Sequence, residues 1–275
     1  MKRSTAWLTV ASATALGTAL STVLSLGVSS TVQASPADDR PGSIALPTPD
    51  VDWDYQIGGS FPPARSVGIV SRDRRDEPLA DAYTICYVNA FQTQADEKAF
   101  WRDHWRLVLK KDGHPVVDGA WGEWLVDTRT PNKRHALTRI VGRWIDRCAA
   151  DGFDAAEFDN FDSWGRSRHL VTKPDNVAYA RLLIARAHAA GLAAAQKNWA
   201  EFADRGPGIG FDFAIAEECN RWHECQSYAG PYDDRVLVVE YRDQDYRRGC
   251  RVWGDRLSIV RRNINVSPDG VNRRC

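Results

Sequence analysis

The sequence predicts an α/β fold built as a single (β/α)8 TIM barrel, on three observations. About eight short strand-like runs alternate with longer runs of helical spacing, which argues for parallel strands joined by crossover helices. The chain left after an N-terminal leader is roughly 240 residues, close to the ~250 typical of one such barrel. No glycine-rich phosphate loop follows the first strand, so a closed barrel fits better than an open doubly wound sheet.

The strand runs are Tyr55–Gly58, Val67–Val70, Tyr83–Asn89, Phe153–Asp159, Leu192–Asn198, Phe211–Glu217, Val236–Tyr241 and Ser258–Ile264. Helical spacing of apolar residues marks Asp96–Leu109, Arg134–Ala150 and Pro174–Ala190. The last of these has Thr172 and Pro174 at its entry and Gly191 just past its end, a start and a stop in the expected order.

Residues 1–34 read as a secretory signal peptide: Lys2 and Arg3, then an uncharged stretch of Ala, Leu, Val, Ser and Thr, then Val32-Gln33-Ala34 as a small-residue cleavage site. Residues 35–50 carry Pro36, Pro41, Pro47 and Pro49 and are expected to form a loose linker. The domain proper is 51–275. The expected setting is extracellular, with no membrane partner once the leader is cleaved and a monomeric chain. Losing Lys2 and Arg3 moves the formal charge from +0 to about −2, which excludes a nucleic-acid binder by composition.

Six cysteines in an exported chain point to disulfides. Cys219 with Cys225 and Cys250 with Cys275 are the expected bridges. Cys86, inside the apolar strand Ile85-Cys86-Tyr87-Val88, reads equally well as a free buried thiol. There is no CxxC pair and no HExxH helix, so neither a metal nor another cofactor is expected.

Side chains alternate along a strand, which puts Glu157 and Asp159 on one face and Phe158 on the other. A bulky apolar residue belongs on the helix-facing side of a barrel strand, so the two acids face the interior, Asp159 at the C-terminal rim where barrel active sites lie. The same count ends the next strands in Asn198, Glu217 and Glu240. Single acids at such positions often only cap the following helix. Acids recurring at corresponding strand ends, with Trp164, Trp199, Trp222 and Tyr241 nearby in sequence, suit glycoside hydrolysis, which needs an acid, a nucleophile or base, and flat faces for sugar rings. Trp101, Trp105 and Trp144, in helical runs, read as packing.

These residues resemble glycoside hydrolase family 114, the endo-α-1,4-polygalactosaminidases. The resemblance runs through Trp53-Asp54-Tyr55-Gln56-Ile57, Ile85-Cys86-Tyr87, Gly122-Glu123-Trp124-Leu125, Glu157-Phe158-Asp159-Asn160-Phe161-Asp162, Lys197-Asn198, Glu217-Glu218-Cys219, Glu224-Cys225 and Glu240-Tyr241. It implies a metal-free endo-hydrolase of α-1,4-linked galactosamine polymers, with Asp159 as nucleophile and Glu217 as acid/base. Tyr55, Tyr87, Glu157, Asp162, Asn198, Glu240 and Tyr241 are the expected substrate-binding residues, Glu157 lying a layer deeper and tuning its neighbour. The chain departs from the family after the third strand, at Val88–Gln94, in a second strand without an Asp-x-Asp pattern, and at Glu218, where glutamine is common. A cluster of Glu157, Asp159, Asp162, Glu217, Glu218, Glu224 and Glu240 would make the cleft acidic and favour a partly deacetylated, cationic polymer. The competing readings are a non-catalytic carbohydrate-binding barrel, a hydrolase of another α-linked polysaccharide, and a metal-dependent deacetylase, whose paired histidines are missing.

Overall fold

The computed structural model describes residues 43–275. The expected signal peptide and most of the expected linker lie outside the described residues. Residues 43–50 are not loose: Pro47 is buried, Ile44 packs on the barrel interior, and the Ala45 carbonyl accepts from the Tyr83 hydroxyl at 3.0 Å.

Eight parallel strands form the barrel in sequence order: β1 Trp53–Gln56, β2 Ile69–Asp73, β3 Tyr83–Asn89, β4 Ala155–Asp159, β5 Ala193–Lys197, β6 Phe213–Glu217, β7 Val236–Glu240 and β8 Ser258–Arg262. A short strand β9, Asn272–Arg274, adds antiparallel to β8. All eight predicted strands exist, with β1 beginning two residues earlier than expected.

The interior is filled by unequal partners. Trp53, Tyr55 and Phe213 are large, while Ala155, Ala193 and Ala195 leave them room. The opposite faces of the same strands, Val88, Ala156, Phe158, Ala194, Ala214, Val236, Val238 and Ile259, pack outward under the helices. This division by parity is what a barrel demands of its strands. The seam between β8 and β1 is closed by Arg262, which is fully buried, ion-paired to Asp54 at 2.9 Å and hydrogen-bonded to the Tyr55 carbonyl.

Three helices dominate the outer layer. Helix α1, Pro131–Asp151, starts at Thr130, whose hydroxyl accepts from the Lys133 amide, and stops at Gly152 in the left-handed conformation, φ +96°. Helix α2, Lys173–Ala189, opens with a capping box between Thr172 and Asp175. Helix α3, Asp243–Trp253, has no counterpart among the expected helices. The run Asp96–Leu109, expected as one helix, is instead a short helix at Lys98–Asp103 flanked by single 3₁₀ turns.

Three disulfides are present: Cys219–Cys225, Cys250–Cys275 and Cys86–Cys148. The third decides between the two readings of Cys86 in favour of a disulfide: Cys86 projects outward from β3 directly under the last turn of α1, where Cys148 meets it.

Candidate active site

The C-terminal ends of β3 to β7 surround a cleft of about 320 Å³. Parity decides which side chains enter it. On β4, Ala155, Glu157 and Asp159 face inward; on β5, Ala193, Ala195 and Lys197; on β6, Phe213, Ile215 and Glu217. On β7 the inward residues are Leu237, Val239 and then Tyr241, just past the strand.

Lys197 stands at the centre. Its ammonium donates to Glu157 Oε1 at 2.7 Å, to the Tyr55 hydroxyl at 2.7 Å and to Asp159 Oδ1 at 3.2 Å, and lies 3.9 Å from Glu217 Oε2. Asp159 and Glu217 are thus brought together around one cation. Asp159 also accepts from the Tyr87 hydroxyl at 2.6 Å and from Asn160 Nδ2 at 3.2 Å. Burial alone would push its carboxyl up; the Lys197 charge, the Tyr87 hydroxyl and the Asn160 backbone outweigh that and hold it below the usual carboxylate range. Glu217 is more open, its side chain 31% exposed, and accepts from the Tyr241 hydroxyl and from Asn198 Nδ2 at 3.1 Å. Asn198 in return accepts the Glu217 amide at 2.8 Å.

Below this pair is a dry layer. Burial pushes the Glu157 carboxyl up, against the pull of Lys197, and its Oε2 has no protein donor. The Lys197 ammonium, which burial would discharge, is held charged by Asp159, Glu157 and Glu217. Tyr55 donates to Glu157 Oε1 at 2.7 Å. Neither Tyr55 nor Glu157 lines the cleft, so their expected place against substrate is corrected: they are the floor that sets Lys197.

Backbone strain collects at the same rim. Asn160, Asn198, Trp199 and Glu218, each just beyond a strand tip, have φ between +55° and +65°. Asparagine tolerates this; tryptophan and glutamate do so only where surrounding contacts compel it.

Of the other expected substrate contacts, Tyr87, Asp162, Asn198 and Tyr241 line the cleft, and Glu240 does not. Glu240 shares the outward face of β7 with Val236 and Val238, is fully buried and accepts from the Asn220 amide at 2.8 Å. Its burial pushes the carboxyl up to about 7. An acid that ends a strand is expected to face the cleft, but the last residue of β7 has the wrong parity. Trp164 and Trp199 are also displaced: they pack on each other, with centroids 5.4 Å apart, outside the barrel. Glu218 pairs with Arg221, and Glu224 lies apart from the cleft.

Several lining residues were not expected. A hairpin pairs Val117–Asp118 with Glu123–Trp124 and carries the exposed Trp121 at its turn, where Gly122 takes φ +69°. Asp118, Trp121 and Glu123 line the cleft, as does Arg166, which pairs with Asp118 at 3.0 Å and Asp162 at 2.9 Å. The cleft therefore holds five carboxylates, Asp118, Glu123, Asp159, Asp162 and Glu217, against the two cations Lys197 and Arg166. Among the described residues no group of three or more His, Cys, Asp or Glu is arranged to hold a metal ion.

The fold has solved counterparts. The crystal structure of Aspergillus fumigatus Ega3 in complex with galactosamine superposes with a TM-score of 0.69 at 18% identity, covering 86% of this chain and 100% of that one. The glycoside hydrolase domain of PelA from Pseudomonas aeruginosa gives a TM-score of 0.55 at 14% identity, covering 82% of this chain and 98% of that domain. At these identities the likeness is one of fold. No curated protein matches the sequence. The model of glycoside-hydrolase family GH114 matches residues 33–275, nearly the whole chain, and the chain belongs to that family.

Proposed function

We propose that this chain is a secreted, endo-acting glycoside hydrolase that cleaves α-1,4-linked galactosamine-containing polysaccharide, with Asp159 as nucleophile and Glu217 as acid/base. The observation that carries the reading is the shared Lys197 ammonium, which sits between two carboxylates of different surroundings at the mouth of the barrel. Asp159, 16% exposed at its side chain, tyrosine-bonded and held ionised, has the character of a nucleophile. Glu217, open to solvent, can exchange a proton with water.

The bounded distance between them supports a retaining route. Asp159 Oδ1 and Glu217 Oε2 lie 3.2 and 3.9 Å from one nitrogen, so they can be no further apart than the sum, about 7 Å. That bound accommodates the ~5–5.5 Å of a retaining enzyme and overlaps only the lower edge of the 6.5–9.5 Å range of inverting ones. In such a route Asp159 attacks the anomeric carbon while Glu217 protonates the departing glycosidic oxygen. Glu217 then takes a proton from water, and that water displaces Asp159 from the sugar.

The substrate class is supported by family membership, by the galactosamine bound to the Ega3 relative, and by the acidic lining, although four of the seven acids first expected there lie elsewhere. A cationic polymer complements that lining. The leader and three disulfides support export. The test is to incubate the enzyme and its Asp159→Asn and Glu217→Gln variants with deacetylated and N-acetylated galactosaminoglycans. Release of oligosaccharides that each variant reduces at least ~100-fold is expected. Wild-type rates in both variants would sink the assignment, and binding without release by the wild type would identify a carbohydrate-binding barrel instead.

A further inference from the structure

The five cleft carboxylates are not equally available. Arg166 occupies Asp118 and Asp162, and Lys197 occupies Asp159 and approaches Glu217. Glu123 alone among them has no cation within 4.0 Å among the described residues. Its Oε2 accepts from Asn89 Nδ2 at 2.9 Å, its Oε1 has no donor among the described residues, and the residue lines the cleft. Two residues away, Trp121 is half exposed on the turn of the same hairpin and lines the same cleft. The hairpin is anchored: the Trp124 amide donates to the Thr93 hydroxyl at 3.1 Å, Thr93 donates back to the Trp124 carbonyl at 2.8 Å, and Arg166 ties Asp118 to the β4 loop. From Glu123 a row of amides leads to the reaction centre: Asn89 Oδ1 accepts from Asn160 Nδ2 at 3.0 Å, and the same nitrogen lies 3.2 Å from Asp159 Oδ2.

We propose that Trp121 and Glu123 form a sugar subsite beside the nucleophile that selects a residue bearing a free amine, the indole stacking on the ring and the Glu123 Oε1 accepting from the ammonium. This rests on the galactosamine reading and adds to it a place: the demand for a deacetylated unit is made at the hairpin, not by the cleft's net charge. An N-acetylated unit offers an amide in place of the ammonium and gains nothing from the carboxylate's charge. A charge-assisted hydrogen bond of this kind is enough for a discrimination of about tenfold or more.

Glu123 also carries a pH signature. Burial, Asp159 on β4 and Asp118 across the hairpin push its carboxyl up, while Asn89 from β3 and Arg166 from the β4 loop pull it down, and the balance is about 7. The subsite is charged above neutrality and loses its charge below it.

Calorimetric titration of the Asp159→Asn variant with galactosamine oligomers and with N-acetylgalactosamine oligomers tests this without turnover. Adding Glu123→Gln, which preserves shape and the bond from Asn89, should weaken the amine oligomer about tenfold and leave the acetylated one within about twofold. Trp121→Ala should weaken both alike, because stacking is blind to the amine. With the amine oligomer, the ratio of affinities with and without Glu123→Gln should grow from pH 6 to 8, a comparison in which titration of the sugar itself cancels. Equal weakening of both oligomers by Glu123→Gln, no weakening, or no binding of either oligomer overturns the subsite. If the wild type releases no oligosaccharide while Glu123→Gln still abolishes the amine preference, the cleavage reading fails and the subsite stands. Release of oligosaccharide with an unaltered preference decides the opposite way.

Discussion

Replacing Lys197 with methionine keeps most of the side-chain volume and removes the charge, and the consequences can be worked from its contacts. The ammonium is almost fully buried and is the only cation among the described residues bonded to Glu157 and Asp159, at 2.7 and 3.2 Å. Two carboxylates would be left in the barrel with hydroxyl and amide donors alone. Breaking a buried pair from one side costs about 3–5 kcal/mol, which for a domain of this size lowers Tm on the order of 10 °C. A second effect is on titration. Asp159 is held low against burial chiefly by Lys197, so without it burial prevails and the carboxyl rises. A carboxyl held below its usual value adds stability that is present above about pH 3.9 and is lost as pH falls through the lower folded value. In Lys197→Met that contribution disappears, and the acid limb of kcat/KM moves toward neutrality. Calorimetric melting and a pH–rate profile measure the two effects. The double variant Lys197→Met with Glu157→Gln should regain part of the stability, since one stranded charge is gone, while leaving the acid limb displaced. A Tm within 2 °C of wild type, or an unmoved acid limb, would refute the central position given to this lysine.

Glu240→Gln separates the outward face of β7 from the cleft. Because burial raises the folded carboxyl to about 7 from about 4.3 in the unfolded chain, the wild type loses stability between those pH values and little more above them. Urea titrations should show that slope reduced in the variant, while kcat/KM stays within about twofold, since the side chain has no access to substrate. The disulfides should rank by the loops they close. Double serine variants lose about 4.3 kcal/mol for Cys86–Cys148, spanning 62 residues, about 3.5 for Cys250–Cys275, spanning 25, and about 2.2 for Cys219–Cys225, spanning 6. Denaturant midpoints check the order, and a reversed order would mean that native-state contacts outweigh loop closure.

The strands were legible because apolar runs bounded by turn residues are short and recur, and parity within β4 and β6 placed Glu157, Asp159 and Glu217 inward, as observed. Other features had weaker signals. Helix α3 reads Asp-Gln-Asp-Tyr-Arg-Arg-Gly-Cys-Arg-Val-Trp; Tyr246, Gly249, Cys250 and Trp253 share its core-facing side, but the run is only 11 residues and otherwise polar, so its stripe is narrow. Asn198 and Trp199 are two successive left-handed residues, which turn the Trp199 ring out of the barrel; no alternation count carries through such a turn. The hairpin bearing Trp121 and Glu123 has strands of two residues each, too short for any periodicity to register.

The largest gap lay in where each strand was taken to end, and stagger between strands explains why it mattered. Glu157 is paired with Ala195, and Phe158 with Gln196, so Lys197 follows alongside Asp159. On its other side Lys197 is opposite Ile215, one inward layer below Glu217. A carboxylate at the Lys197 position could not hold Asp159 ionised, and a short polar side chain could not climb the offset to Glu217. A long cationic chain rooted level with Asp159 and one layer beneath Glu217 spans the step that barrel stagger imposes. Ending β5 with Asn198 inward would move the whole strand by one residue, which turns each of its side chains to the opposite face. With the strand ended at Lys197, the three small alanines before it read at once as inner filling and outer packing, and the site acquires its cation.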